Sequence, residues 1–236
     1  MPLTRLDKLL ADSGIFSRSE AKALIRSGRV SVNGCVPKQA EEKYASETAV
    51  IRVDGEVISC SAKRYIMMYK PGGILSATED AKQQTVTDLL SPQLKRQSLF
   101  PVGRLDKDTT GLLLLTNDGD FAHRVISPKK HVPKVYRAAV DGILDESDVL
   151  AFREGVVLSD GTRCLPAELE LLRPSMGRVT VFEGKYHQVK RMFASRGKHV
   201  TALHRESVGG LVLDPMLSPG EYREITAEEI AAVLQE

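Results

Sequence analysis

The sequence predicts an α+β chain: a small N-terminal unit of helices and strands over residues 1–60, then a larger mixed domain over residues 61–236 built mainly on an antiparallel sheet. Two capped amphipathic stretches open the chain, and many short strand-like runs follow. Strands and helices never settle into the regular alternation of a parallel α/β sheet. The 236 residues are 42% hydrophobic and 27% charged, the composition of one or two folded domains and not of a disordered or collagen-like chain.

In chain order, Thr4 is placed to cap a first helix carrying Leu6, Leu9 and Leu10, with Asp7 at the third position. Ser17 and Glu20 form a capping box ahead of Ala21, Ala23, Leu24 and Ile25, and Gly28 stands where a left-handed cap closes the helix. Val30, Val32, an Asn33-Gly34 turn, Ala49 to Val53, an Asp54-Gly55 turn and Val57-Ile58 then read as hairpin strands. Residues 59–64, small and polar, read as a linker. Beyond it, strands are expected at Tyr65 to Tyr69, Gly111 to Leu115, Val135 to Val140, Ala167 to Leu172, Val179 to Phe182 and Gly209 to Leu213. Helices are expected near Phe121 to Ile126, Val149 to Arg153 and His187 to Arg196, and from Ala227 onward, with hairpin turns at Asp118-Gly119 and Asp160-Gly161.

Several function classes drop out. Aliphatic runs such as Leu112 to Leu115 are far short of the roughly 20 residues of a membrane helix. The opening MPLTRLDKLLAD lacks the long apolar core of a signal peptide. Cys35, Cys60 and Cys164 are odd in number and share no C-x-x-C spacing, which argues against a disulfide framework or zinc site and suits a reducing cytoplasm. No glycine loop of the phosphate- or dinucleotide-binding kind occurs, so no nucleotide cofactor is expected. The net charge of +2 conceals three basic blocks: +4 over residues 1–38, +6 over 61–140 and +5 over 176–206. Segregated basic segments suit a polyanion if the fold brings them together.

Arg18, Lys22, Arg26 and Arg29 recur at steps of three and four and share one side of the second helix, as a solvated face or an RNA-binding one. The surrounding LDKLLADSGIFSRSEAKALIRSGRVSVNG resembles the S4 RNA-binding domain over about a quarter of the chain. That resemblance implies a small S4-like α/β RNA-binding domain with Arg18, Lys22, Arg26 and Arg29 as phosphate contacts.

The densest polar segment is Gly103-Arg104-Leu105-Asp106-Lys107-Asp108-Thr109-Thr110-Gly111, directly before an apolar strand. A loop anchored by core structure can position a catalytic carboxylate, but residue types alone favour the alternative in which Asp106 or Asp108 merely caps a turn. Two acids two apart, with no third ligand at metal spacing, do not make a metal site.

G-R-L-D-x-D-T-T-G-L-x-L-L-T-N-D-G resembles the catalytic motif of the pseudouridine synthases, in the branch of the ribosomal small subunit enzymes. Three further segments agree in order. Tyr69-Lys70-Pro71-Gly72-Gly73 resembles the family's N-K-P-x-G, Lys134-Val135-Tyr136 its K-x-Y, and Glu183 to Phe193 its third motif, which LHRESVGGLVLD and SPGEYREIT continue. The resemblance implies an isomerase that cuts the uridine N1–C1′ bond, turns the uracil and joins C5 to C1′, with no cofactor. The target base must be single-stranded or flipped out. By motif, Asp106 is the nucleophile, Tyr136 stacks on the uracil and handles a proton, and Lys190 pairs with Asp106. Val189 walls the uracil pocket, Arg104 fills the space of the flipped base or holds a phosphate, and Lys70 and Arg191 contact substrate. His187, three before Lys190, is left open to a base role; His199 and His204 read as structural or RNA-facing.

Together these readings imply a monomeric cytoplasmic pseudouridine synthase acting on ribosomal RNA, namely 16S RNA or its assembly particle. The Y-H-Q-V-K-R-M-F segment resembles the small-subunit enzymes more than the large-subunit ones. The rivals are a 23S RNA synthase of the same branch and a non-catalytic S4-type ribosome-assembly factor.

Overall fold

Ser17 is extended, its hydroxyl accepting from the Glu20 amide at 3.2 Å while the Glu20 carboxylate accepts from the Ser17 amide at 2.6 Å. This reciprocal cap starts α2, Arg18–Arg26. The computed structural model describes residues 3–46, 48–58 and 63–235, so residues 59–62 of the expected linker, with Cys60, lie outside the described residues. The chain packs as two compact units, Met1–Arg64 with Leu90–Leu99, and Tyr65–Leu89 with Phe100–Glu236.

The first unit runs β1 (Leu3–Arg5), α1 (Leu6–Asp12), α2, β2 (Val30–Val32), β3 (Lys43–Ala45), β4 (Ile51–Val53) and β5 (Glu56–Ile58). Leu6, Leu9, Leu10, Ala21, Ile25, Val30, Val32, Ile51 and Val53 form its core. Asn33-Gly34 and Asp54-Gly55 both adopt paired positive φ, as tight hairpin turns require. The expected Thr4 cap does not form. Thr4 lies in β1, which pairs antiparallel with β3, and Arg5 precedes α1 with no side-chain cap. Asp7 is buried and accepts two 3.0 Å hydrogen bonds from the Arg5 guanidinium. The unit also takes in residues the sequence assigns to the second domain: α3 (Pro92–Lys95) lies within Leu90–Leu99, where buried Gln97 donates to the Ser13 carbonyl at 3.3 Å.

The second unit contains β6 (Tyr65–Lys70), β7 (Phe100–Pro101), β8 (Thr110–Thr116), α4 (Gly119–Ile126), β9 (Lys134–Val140), α5 (Glu146–Glu154), β10 (Glu168–Arg173) and β11 (Met176–Val181). After these come α6 (Gln188–Ala194), β12 (Val200–Val208), β13 (Leu211–Val212), β14 (Tyr222–Glu224) and α7 (Ala227–Leu234). The sheet order is β10-β11-β9-β12-β8-β6-β14, with β13 beside β12 and β7 beside β8. Pairing is antiparallel except between β12 and β8. That parallel pair sets His204 opposite Thr110 and Arg205 opposite Gly111.

Gly111 is required there. Its φ is +106°, and a Cβ would lie 2.3 Å from the Arg205 carbonyl oxygen, so only glycine lets the two strands close. Leu112 to Leu115 are all buried, as a central strand with both faces covered demands. The expected Asp118-Gly119 hairpin is instead the start of α4, with the Asp118 carboxylate accepting from the Asp120 and Phe121 amides at 3.1 and 3.3 Å. The strand expected at Gly209 to Leu213 shrinks to β13, because Gly209 adopts positive φ in the turn that folds it back on β12.

Candidate active site

Asp106 lies on the loop between β7 and β8, and the loop is held from below. The Ser76 hydroxyl donates to the Leu105 carbonyl at 2.9 Å and accepts from the Leu105 amide at 3.1 Å. Lys70, at the end of β6, is fully buried, and its ammonium donates to the carbonyls of Pro71, Lys107 and Thr109 at 3.0, 3.1 and 2.9 Å. The Gly73 amide adds a bond to the Lys107 carbonyl at 2.8 Å, and the Thr109 amide closes the turn onto the Asp106 carbonyl at 3.1 Å. A catalytic carboxylate needs such a rigid support. Burial, opposed by the nearby Asp108 and Asp106 charges, pushes the Lys70 ammonium down to about 8. Lys70 therefore braces the loop and does not face the cleft where the resemblance expects a substrate contact.

The Asp106 carboxylate is partly exposed and meets two groups from the third motif. Its Oδ2 is 3.1 Å from Lys190 Nζ on α6, and its Oδ1 is 3.3 Å from His187 Nε2. Lys190 also donates to Asp108 Oδ1 at 2.6 Å, so one ammonium serves two carboxylates. Partial burial pulls the Lys190 pKa down, but hydrogen bonds to Asp108 and Asp106 outweigh it and the pKa is raised; Lys190 stays charged. The hydrogen bond from Lys190 holds Asp108 below the usual carboxylate range.

The cleft beside Asp106 is lined by Leu105, Val181, Val189 and Leu203 on its apolar side and by Tyr136, with Arg104 and His187 on its polar side. Val189 is buried and Arg104 exposed. Tyr136 comes from β9, opposite Arg205 of β12. Arg205 is only 4% exposed; its Nε donates to the Leu112 carbonyl at 2.7 Å, its Nη1 lies 3.4 Å from the Tyr136 hydroxyl, and its Cζ is 5.9 Å from the Tyr136 ring centre. A flat, half-buried ring beside a carboxylate in an apolar-walled cleft can hold a planar base and present C1′ of its sugar to the acid.

The structure thus gathers Asp106, Tyr136, Lys190, Val189 and Arg104, and leaves others elsewhere. Arg191 is ion-paired with Asp160 at 2.5 Å and does not line the cleft. In the first unit Arg18 and Arg26 are exposed, whereas Arg29 is tied to Asp54 through its Nε at 2.8 Å and Lys22 lies 3.9 Å from the buried Asp7. His204 is structural: Thr110 Oγ1 is 2.9 Å from its Nδ1, and burial lowers its pKa. Sequence reasoning missed Arg205, whose signal was a charged residue inside the third-motif continuation, and the sharing of Lys190 with Asp108. Among the described residues no group of three or more His, Cys, Asp or Glu could hold a metal, and no helix is long and apolar enough to cross a membrane.

Against known proteins, residues 64–195 match the RNA pseudouridylate synthase family model and residues 4–42 the S4 domain model. The chain is 48% identical over 230 residues to a Bacillus subtilis protein described as an uncharacterised RNA pseudouridine synthase, covering 96% of each. It is 44% identical to ribosomal small subunit pseudouridine synthase A of Vibrio cholerae (97% of this chain, 99% of that protein) and 41% identical to the Escherichia coli K12 protein of the same name (98% and 100%). A solved pseudouridylate synthase crystal structure superposes with a TM-score of 0.70 at 38% identity, covering 97% of this chain and 99% of that one.

Proposed function

Because the chain belongs to the RNA pseudouridylate synthase family and is an isomerase with an S4 RNA-binding domain, we propose that it converts one uridine of 16S ribosomal RNA to pseudouridine, with Asp106 as nucleophile. The observation that carries the chemistry is the Asp106 carboxylate, 3.1 Å from a charged Lys190 at the edge of a cleft walled by Tyr136 and Val189. The choice of 16S RNA rests on full-length similarity to proteins named for the small subunit.

In this reading the flipped uridine lies against Tyr136, and the Asp106 carboxylate attacks C1′ as the N1–C1′ bond breaks. The electron pair stays with the uracil. Lys190 sets its positive charge 3.1 Å from the attacking carboxylate. After the ring turns, C5 bonds to C1′, the carboxylate leaves, the C5 proton departs by way of the Tyr136 hydroxyl, and N1 is protonated. Substrate and product are isomers, so nothing else is consumed. The protein acts as a monomer in the cytoplasm, where ribosomal RNA is made.

The test is to incubate the protein with 16S RNA, 23S RNA and small-subunit assembly particles and to map pseudouridines. One new pseudouridine in 16S RNA, free or in the particle, is expected. A site in 23S RNA would overturn the substrate, and none in any RNA would favour the non-catalytic assembly factor.

The S4 unit carries a second expectation. Arg18 and Arg26 are exposed, while Lys22 and Arg29 are engaged by Asp7 and Asp54. Replacing Arg18 and Arg26 by Gln should raise KM, leave turnover at saturating RNA unchanged, and flatten the slope of log affinity against log salt by about 0.7–0.9 per lost phosphate contact. Adding Lys22→Gln and Arg29→Gln should change affinity less than the first pair does. An unchanged KM and salt slope in the quadruple variant would make this face a merely solvated one.

A further inference from the structure

Tyr186 is 73% exposed, whereas every other Phe and Tyr is buried or half-buried. Its ring is not loose: it stacks on His187 with centroids 3.9 Å apart and planes 18° apart. His187 in turn lines the cleft, with Nε2 3.3 Å from Asp106 Oδ1. The backbone of His187 is left-handed, φ +47° and ψ +36°, a region that His, Asn and Asp enter more readily than other non-glycine residues. The Tyr186 carbonyl lies 3.4 Å from Arg191 Nη1. The result is a two-ring ledge, one edge on the carboxylate and one broad aromatic face open to solvent.

We propose that the Tyr186–His187 stack is a binding platform for the nucleobase adjacent to the target uridine. Turning a uridine out of its strand leaves a neighbour with one bare π-face, and an aromatic ring in solvent beside the cleft offers the replacement stack. Its contact with Asp106 places the ledge beside the reacting sugar, so the platform sets where the strand enters. Every base has a π-face, so the ledge grips the strand without reading its sequence. The inference rests on RNA being the substrate, and on neither the 16S assignment nor the role of Asp106.

The chain has no tryptophan, so Tyr186→Trp introduces a single indole as reporter. Its fluorescence is followed as 16S transcript is added, with filter binding run in parallel. Tyr186→Phe, Tyr186→Trp and Tyr186→Ala are assayed in steady state on whichever ribosomal RNA the wild type modifies. The Phe and Trp variants should keep KM within about twofold of wild type. The Ala variant should raise it about 5- to 150-fold, the ratio for 1–3 kcal/mol per stacked base, with kcat within about twofold and an unchanged circular dichroism spectrum. The indole fluorescence of Tyr186→Trp should be quenched as RNA binds. A wild-type KM in the Ala variant, or an indole signal unchanged while RNA binds, overturns the platform. So does a fall in kcat with a shifted pH profile at constant KM, the signature of a ring that only props His187 against Asp106. If the wild type modifies a uridine in 23S RNA and none in 16S RNA, the 16S assignment fails, and quenching of the indole by 23S transcript leaves the platform standing.

Discussion

Asp106→Asn is expected to lower single-turnover pseudouridine formation by about 10⁴-fold or more while leaving the fold and RNA affinity nearly intact. The amide has the carboxylate's shape but cannot form the ester-type bond to C1′ that splits the reaction into two steps. The structure argues that this loss is not hidden behind unfolding. Lys190 keeps its 2.6 Å bond to Asp108, so its ammonium is not orphaned when Asp106 loses its charge. The loop's supports are backbone groups held by Lys70, Ser76 and Gly73, none of which touches the Asp106 side chain. Removing a negative charge from a cleft that receives a polyanion should not weaken binding. The check is rapid mixing of excess enzyme with ribosomal RNA labelled with tritium at uridine C5, alongside filter binding. A rate within tenfold of wild type would remove Asp106 from the role of nucleophile.

Elements specified by local chemistry were legible in the sequence. The Ser17–Glu20 box needs only four consecutive residues, and it starts α2 where expected. The run Leu112 to Leu115 has no polar face, so it had to be buried, and its shortness and flanking turn residues favour a strand. Several of the failures share a cause: the deciding partner is distant in the chain. Thr4 would cap α1, but it pairs instead within β1 against β3, about forty residues away. β12 escaped notice because Val200 to Val208 exposes Thr201 and Ala202 and carries Arg205 and Glu206, which no alternating pattern marks as the middle of a sheet. What makes it central is Gly111, whose missing side chain admits the Arg205 backbone. Likewise Lys70 and Arg191 look like substrate-facing cations in a one-dimensional motif. In three dimensions three carbonyls claim one and Asp160 the other. The motif resemblance pointed to the pairing of Asp106 with Lys190, but the third party, Asp108, depends on a loop conformation that no spacing rule supplies.

Tyr136 separates two jobs that one side chain can perform, and the structure sets the terms of the test. Tyr136→Phe keeps the ring that walls the cleft and faces Arg205 at 5.9 Å, and removes only the hydroxyl, which lies 3.4 Å from Arg205 Nη1. Arg205 retains its 2.7 Å bond to the Leu112 carbonyl, so the variant should fold and bind RNA as the wild type does. If the hydroxyl carries the C5 proton away, turnover should fall about 10²- to 10⁴-fold at unchanged affinity, the usual worth of a positioned acid or base. Tritium release from C5 should slow by the same factor. Tyr136→Leu loses the hydroxyl and the stacking face together, and should add a weakening of about 1–3 kcal/mol in base contact, read as a higher KM. The two substitutions therefore divide along different axes, Phe in kcat and Leu in both kcat and KM. Normal kcat in the Phe variant with raised KM in the Leu variant would assign Tyr136 to stacking alone and move the proton to another group. Near-normal kinetics in both would reduce it to an ordinary aromatic of β9, and the cleft beside Asp106 would have to hold the uracil by Val189 and Leu203 without it.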